Sequence, residues 1–142
     1  MQGTQKKADI PCYCLKIRRA SAVVTKFYDD QLGACGITAR QYSLLSKISG
    51  AEHCSVRELS DVAELDRSTL ARSLKPLYLQ KLIVDVKRPG ARNSQLELTQ
   101  AGRQTLARAN HVWVKAQTDV RQKLGENGIS WLDQMLDLLE SL

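Results

Sequence analysis

The sequence predicts a mainly α protein with one small β-hairpin, in the order α-α-α-α-β-β-α-α. Three observations carry this. Capping motifs stand ahead of apolar residues at helical spacing, and the period switches to alternation between residues 83 and 98. The net charge of +6 is also concentrated in one short window. At 142 residues the chain reads as a single domain, 1–142.

The elements follow in order. Pro11 suits the first turn of a helix, where its missing N–H costs nothing, and no residue from there to Gly33 breaks the pattern. Leu15, Ala20, Val23, Val24, Phe27 and Leu32 recur near the 3.6 period, and Gly33 or Gly36 ends the helix as a left-handed cap. Thr38-Ala39-Arg40-Gln41 is a capping box for a second helix to about Ser49, with Tyr42, Leu44, Leu45 and Ile48 behind it. Ser55-Val56-Arg57-Glu58 is another, opening a short third helix with Leu59 and Val62. Asp66 caps a fourth, on which Leu70, Leu74 and Leu77 repeat at i, i+4 and i+7. Ile83, Val84 and Val86, the turn formers of 88–94, and Leu96 alternating to Leu98 read as a two-stranded hairpin. Thr99 caps a long helix through Leu106, Val112, Val120 and Leu124, stopping at Gly125. Ser130 starts a last helix bearing Trp131, Leu132, Met135, Leu136, Leu138 and Leu139.

Composition narrows the class. Aromatics are only 5%, so the core is predicted to be aliphatic. No apolar run approaches the ~20 residues of a membrane span. The first residues lack the apolar stretch of a signal peptide, so the expected location is the cytoplasm, without a membrane partner. There Cys12, Cys14, Cys35 and Cys54 are expected as free thiols. No motif calls for a cofactor.

Charge placement says more. Residues 67–92 hold seven Lys/Arg (Arg67, Arg72, Lys75, Lys81, Lys87, Arg88, Arg92) against Asp85 alone. The flanking segments are nearly neutral, at +1 for 1–66 and −1 for 93–142. A solvated helix face intersperses acids; this window does not, which predicts a polyanion-binding surface. A short helix, a tight turn, a second helix and a basic hairpin make a winged helix-turn-helix, spanning 38–99, and its partner is double-stranded DNA. The N-terminal half of the second helix reaches base edges in such a lobe. Leu70 and Leu74 face the core, leaving Arg67, Ser68, Thr69, Arg72 and Ser73 outward and Lys75 at the rim. Arg72 is the predicted base reader and Arg67 a phosphate contact, while Lys87, Arg88 and Arg92 ring the hairpin tip.

Segments 11–36 and 125–142, with 99–124 as the connecting helix, carry more apolar residues than a DNA-binding lobe needs. They predict a two-fold homodimer whose terminal helices interlock, setting two reading helices ~34 Å apart over a pseudo-palindrome.

From about Cys12 to Leu142 the chain resembles the MarR family of bacterial transcriptional regulators. The resemblance rests on VRELSDVAELDRSTLARSLKPLYLQKLIV (56–84) and LELTQAGRQTL (96–106), with its Leu-Thr-x-x-Gly. It implies a homodimeric regulator, usually a repressor, released from its operator by a small molecule or by thiol oxidation. The family's wing Asp-x-Arg falls on Gly90-Ala91-Arg92, so the arginine is kept and the aspartate is not. Residues 14–42 also look like the organic-hydroperoxide-sensing branch. The branch's reactive cysteine falls on Cys14 and one of its tyrosines on Tyr28, while Arg18 and Ala39 occupy its other tyrosine positions.

Three controls stay open. A small amphipathic or phenolic anion would bind between the terminal helices and the DNA lobe, meeting Arg18, Arg40 or Tyr42. Alternatively, Cys12 and Cys14 form a redox or electrophile switch, with a thiolate favoured by the helix N-terminus and by Lys16, Arg18 and Arg19. Metal binding through Cys12, Cys14 and His53-Cys54 lacks ligand spacing, and inert packing of the cysteines is the plain alternative. A thiol peroxidase using Cys14 is the remaining class; with no nucleophile–base–orienter set legible, the chain is not expected to be an enzyme.

Overall fold

Side-chain caps set most of the helix starts. In the computed structural model, which describes residues 10–51 and 54–142, the order is α1 (Tyr13–Leu32), a 3₁₀ turn (Gly33–Cys35), α2 (Ala39–Gly50), α3 (Val56–Ala63), α4 (Arg67–Leu79), β1 (Ile83–Asp85), β2 (Leu96–Leu98) and α5 (Gln100–Glu140). Both predicted capping boxes form: Thr38 Oγ1 accepts from Gln41 N–H at 3.2 Å, and Ser55 Oγ from Glu58 N–H at 3.0 Å. Asp66 caps α4 and Thr99 caps α5, as their sequence positions predict. The strands pair antiparallel, with Ile83 opposite Leu98 and Asp85 opposite Leu96. Cys54 adds a bridge to Leu96, whose N–H donates to the Cys54 carbonyl at 2.7 Å.

One aliphatic core joins these elements. Leu32, Leu44, Leu45, Leu59, Leu70, Leu74 and Leu77 from four helices meet Leu82, Ile83, Leu96 and Leu98 from the hairpin. Asp29 Oδ1 at the end of α1 accepts from the Ala39 N–H at 2.7 Å, fixing α1 to the start of α2.

Two expectations are corrected, for Pro11 and Ser130, and two details are added, for Gly36 and Val62. Pro11 precedes α1 instead of lying in its first turn; Cys12 is the N-cap, with no side-chain capping bond. Gly33 keeps a right-handed conformation, and Gly36 (φ 74°) is the left-handed residue that ends the 3₁₀ turn. Val62 is 63% exposed, because the eight-residue α3 turns Leu59, with Val56 and Ala63 beside it, toward the core. The last helical arm begins at residue 126, not at Ser130, since only Gly125 (φ 70°, ψ 168°) interrupts α5.

The apolar residues of the two ends find little cover within one chain. Leu15, Val23, Trp131 and Leu138 are 62–69% exposed. Tyr13, Ile17, Val24, Leu132, Met135 and Leu139 line a groove of about 700 Å³ between α1 and the final arm of α5.

Candidate nucleic-acid interface and ligand cavity

The turn between α3 and α4 is built by residues in left-handed and capping conformations. Glu64 (φ 53°) reverses the chain at the end of α3, where Leu65 N–H donates to the Ser60 carbonyl at 3.1 Å. Ser60 Oγ donates to the Leu65 carbonyl at 2.5 Å, closing the turn from the other side. Asp66 then accepts from Thr69 N–H (2.8 Å), Ser68 Oγ (2.7 Å) and Thr69 Oγ1 (2.9 Å). These bonds, the Thr69 N–H foremost, lower its carboxyl to about 2.

The cap decides which predicted readers are free. Arg67, Ser68, Arg72 and Lys75 are exposed on α4, as is Ala71 between them. Thr69 and Ser73 are half-buried instead of facing outward, because they flank the buried Leu70 and Leu74. The Ser73 hydroxyl donates to the Thr69 carbonyl at 2.9 Å, and those of Ser68 and Thr69 donate to Asp66. Arg72 thus carries the long, exposed donor of this face, its Nη2 3.4 Å from Thr69 Oγ1. The helix continues unbroken through Pro76 to Leu79. It ends with Lys81 (φ 56°) left-handed and Leu82 N–H donating to the Leu77 carbonyl at 2.9 Å.

The wing has its own aspartate. Asp85 Oδ1 accepts from Gln95 N–H at 2.9 Å and Lys87 N–H at 3.0 Å, clamping the two limbs where the strands open into the wing loop. The Gln95 bond, then those with Lys87, lower the Asp85 carboxyl. At the tip, Ala91 N–H donates to the Arg88 carbonyl at 3.0 Å across Pro89-Gly90. Pro at the second position and Gly90 at φ 83° in the third are the signature of a type II turn, where an aspartate would be strained. Gly90 therefore serves the turn, and Asp85 holds the wing. Lys87, Arg88 and Arg92 are all exposed around it.

Arg92 also lines a shallow depression of about 260 Å³ with Arg57, Arg67 and Ser94. Arg57 lies ten residues ahead of the basic window, so the charge count passed over it; its position inside the Ser55–Glu58 capping box was the available signal.

A cavity of about 440 Å³ opens where α1, α2 and α5 converge, lined by Tyr28, Ala39, Tyr42, Ser43, Lys47 and Trp113 among others. Tyr42 stacks on Trp113 (centroids 5.9 Å apart, 22° between planes) and donates its hydroxyl to Asn110 Oδ1 at 2.9 Å. The Tyr28 hydroxyl donates to Gln117 Oε1, and burial pushes its pKa up. Lys47, held 3.0 Å from Ser43 Oγ, supplies the cation. Of the three residues expected to meet an effector, only Tyr42 lines the cavity; Arg18 and Arg40 are exposed elsewhere. Tyr28, singled out by resemblance as a partner of Cys14, lines this cavity instead, and Lys47 and Trp113 complete it by tertiary convergence that no spacing in the sequence reveals.

The cysteines are dispersed. Cys12 and Cys14 are exposed at the start of α1, Cys35 is half-buried and Cys54 is buried. Tyr28 stands fourteen residues after Cys14 on the same helix, ~21 Å along its axis, so the two do not meet within one chain. Among the described residues no group of three or more His, Cys, Asp or Glu is placed to hold a metal; His53 lies outside them. His111 is exposed. No described helix is long and apolar enough to cross a membrane.

An Asp66-capped helix following a tight turn, with a clamped basic wing beside it, defines the winged helix-turn-helix class. No family model and no curated protein matches the chain. Solved structures do. The Mycobacterium tuberculosis transcriptional regulator MosR, in complex with DNA, shares 29% identity at a TM-score of 0.72, covering 91% of this chain and 98% of that one. The transcriptional repressor CouR bound to p-coumaroyl-CoA gives a TM-score of 0.81 at 22% identity over 91% of both chains. A mutant of Escherichia coli MarR complexed with operator DNA gives 0.79 at 20%, over 89% of this chain and 91% of that one. The chain has the MarR-family winged-helix fold.

Proposed function

We propose that this chain is a homodimeric DNA-binding transcriptional regulator, a repressor released from a pseudo-palindromic operator by a small ligand. The observation that carries the reading is the pairing of α4, with Arg67, Arg72 and Lys75 exposed, and the clamped wing, with Lys87, Arg88 and Arg92 exposed. Arg72 reads a base edge, Ser68 and Lys75 border it, and Arg67 and the wing cations meet phosphates. Thr69 and Ser73 shape the helix surface beneath Arg72. The DNA complexes of MosR and MarR, proteins of the same fold, support this reading.

The effector is a small amphipathic or phenolic anion in the Tyr28–Tyr42–Trp113 cavity, its ring against the stacked pair and its charge toward Lys47. The p-coumaroyl-CoA complex of CouR supports a phenolic ligand class. The exposed apolar ends of α1 and α5 interlock across the two-fold axis and set the reading helices ~34 Å apart.

The test is selection of duplexes from a random pool, followed by titration of phenolic carboxylates against the bound complex while tryptophan fluorescence is followed in a Trp131→Phe background, which leaves Trp113 as the emitter. Enrichment of an inverted repeat, lost or relaxed by Arg72→Ala, is expected; a protein that enriches no duplex refutes the reading. A second control, by thiol oxidation, is favoured by the exposure of Cys12 and Cys14. Release by peroxide that persists in the Cys12→Ser/Cys14→Ser double variant eliminates it.

A further inference from the structure

We propose that Arg57, Arg67 and Arg92 form one oxyanion clamp that grips a single DNA backbone phosphate in each half-site. The proposal rests on the DNA-binding reading above and extends it to Arg57, a residue outside the basic window. Three separate elements supply the guanidiniums: the second residue of α3, the first of α4, and the return limb of the wing. All three are exposed and line the same depression of about 260 Å³, whose other walls are Ser55, Val56, Asn93 and Ser94. No carboxylate is among these lining residues.

Local bonds hold the three in place. Val56 N–H donates to Ser94 Oγ at 2.8 Å, tying the wing to the start of α3 and bringing Arg92 to Arg57. The Asp66 cap fixes Arg67 at the start of α4. Glu58 Oε2 accepts from the Ser55 N–H at 2.8 Å and Asp66 from the Thr69 N–H, each in its own helix cap. The ion pairs among the described residues are Lys26–Asp30, Lys115–Asp119 and Arg121–Glu126, none of which engages these arginines. Three like charges gathered around one hollow repel in the free protein, and a tetrahedral oxyanion relieves that repulsion while accepting charge-assisted hydrogen bonds. A shared phosphate would also bind α3, α4 and the wing to the same point on the duplex, which sets the register of Arg72 without reading sequence.

The test uses the full chain and a duplex it has selected, with binding followed by fluorescence anisotropy over a range of salt concentrations. Arg57→Ala is expected to weaken binding roughly tenfold, equally on selected and mixed-sequence duplexes, and the triple Arg57→Ala/Arg67→Ala/Arg92→Ala variant to lower the salt slope by only about 0.9 per subunit, one phosphate lost for three cations. Arg57→Lys should retain the slope. Uncharged methylphosphonates placed one at a time locate the phosphate: the position that penalises wild type should penalise Arg57→Ala and Arg92→Ala less, at the same position in both. A slope lowered by about 2.7 per subunit in the triple variant, unchanged affinity in Arg57→Ala, or different positions for the two variants overturns the clamp while leaving DNA binding intact. A wild-type protein that binds no duplex overturns the regulator reading and the clamp with it. Because Arg57 is exposed, circular dichroism of the variant should match wild type.

Discussion

Replacing Gly102 by alanine sets helix propensity against packing, and the two predict opposite signs. Gly102 lies in the first turn of α5, where alanine ordinarily gains about 1 kcal/mol over glycine. A Cβ built there, however, falls 2.0 Å from the carbonyl oxygen of Leu82. Ordinary C···O contacts begin near ~3.3 Å, so the backbone must part by about 1.3 Å. That carbonyl accepts the Thr99 N–H at 3.0 Å, and the Thr99 hydroxyl bonds the Lys81 carbonyl at 2.6 Å. Losing both bonds costs about 2 kcal/mol and the strain of overpacking a further ~1–3 kcal/mol. After the propensity gain, the net loss is about 2–4 kcal/mol. In urea this lowers the midpoint by about 1–2 M at an unchanged slope, at fixed protein concentration. Gly50→Ala, at the open end of α2, is the control and should be neutral or slightly stabilising. A Gly102→Ala protein as stable as wild type would refute the packing account. It would also leave the glycine of the Leu-Thr-x-x-Gly motif without a physical reason.

Asp66 makes stability depend on acid. Its folded carboxyl, at about 2, lies below the ordinary 3.8, so its contribution is present above pH ~4 and fades as pH falls toward ~2. The difference in urea midpoint between wild type and Asp66→Ala should shrink over that interval; a constant difference would show that the carboxylate charge is irrelevant. Leu136, 44% exposed in the apolar groove, is expected at the two-fold interface. Leu136→Ala should cost about 2 kcal/mol per subunit, raising the dimer dissociation constant roughly a thousandfold in sedimentation equilibrium. An unchanged constant would place the interface elsewhere. Gly125 occupies backbone space nearly closed to other residues, so Gly125→Ala should lose ~1–3 kcal/mol or straighten α5. A variant with unaltered melting and unaltered hydrodynamic radius would contradict both.

What the sequence made legible were features with a local cause. Thr38, Ser55, Asp66 and Thr99 each cap a helix with a side chain, so four helix starts could be read from residue type alone. Leu70, Leu74 and Leu77 are buried because their spacing gives α4 one apolar face. The start of α1 was misplaced because Cys12 caps it without a side-chain bond, leaving Pro11 as the apparent signal. The Cys54–Leu96 bridge joins residues 42 apart and has no local signature. The same limit applies to function. The charge window located Arg67, Arg72 and Arg92, but Arg57 meets Arg67 and Arg92 through tertiary ties, the Val56–Ser94 bond and the Cys54–Leu96 bridge. Arg18 and Arg40 were plausible anion partners by type, yet the helices turn them away and present Lys47.

The Leu82 carbonyl has a mechanical meaning beyond its fit to Gly102. The loop that carries it is at once the exit of α4, the root of the wing's first strand and the seat of α5. With Thr99 anchored to two successive carbonyls of that loop, α4, the wing and the base of α5 are tied to one another at a single point. In the proposed dimer, a ligand lodged between α2 and α5 would therefore leave the shape of each reading head intact. What it can alter is the angle at which the long helix carries that head, and so the distance between the two heads. Release from DNA would then come from a mismatch of spacing against the helical repeat, felt by both half-sites together.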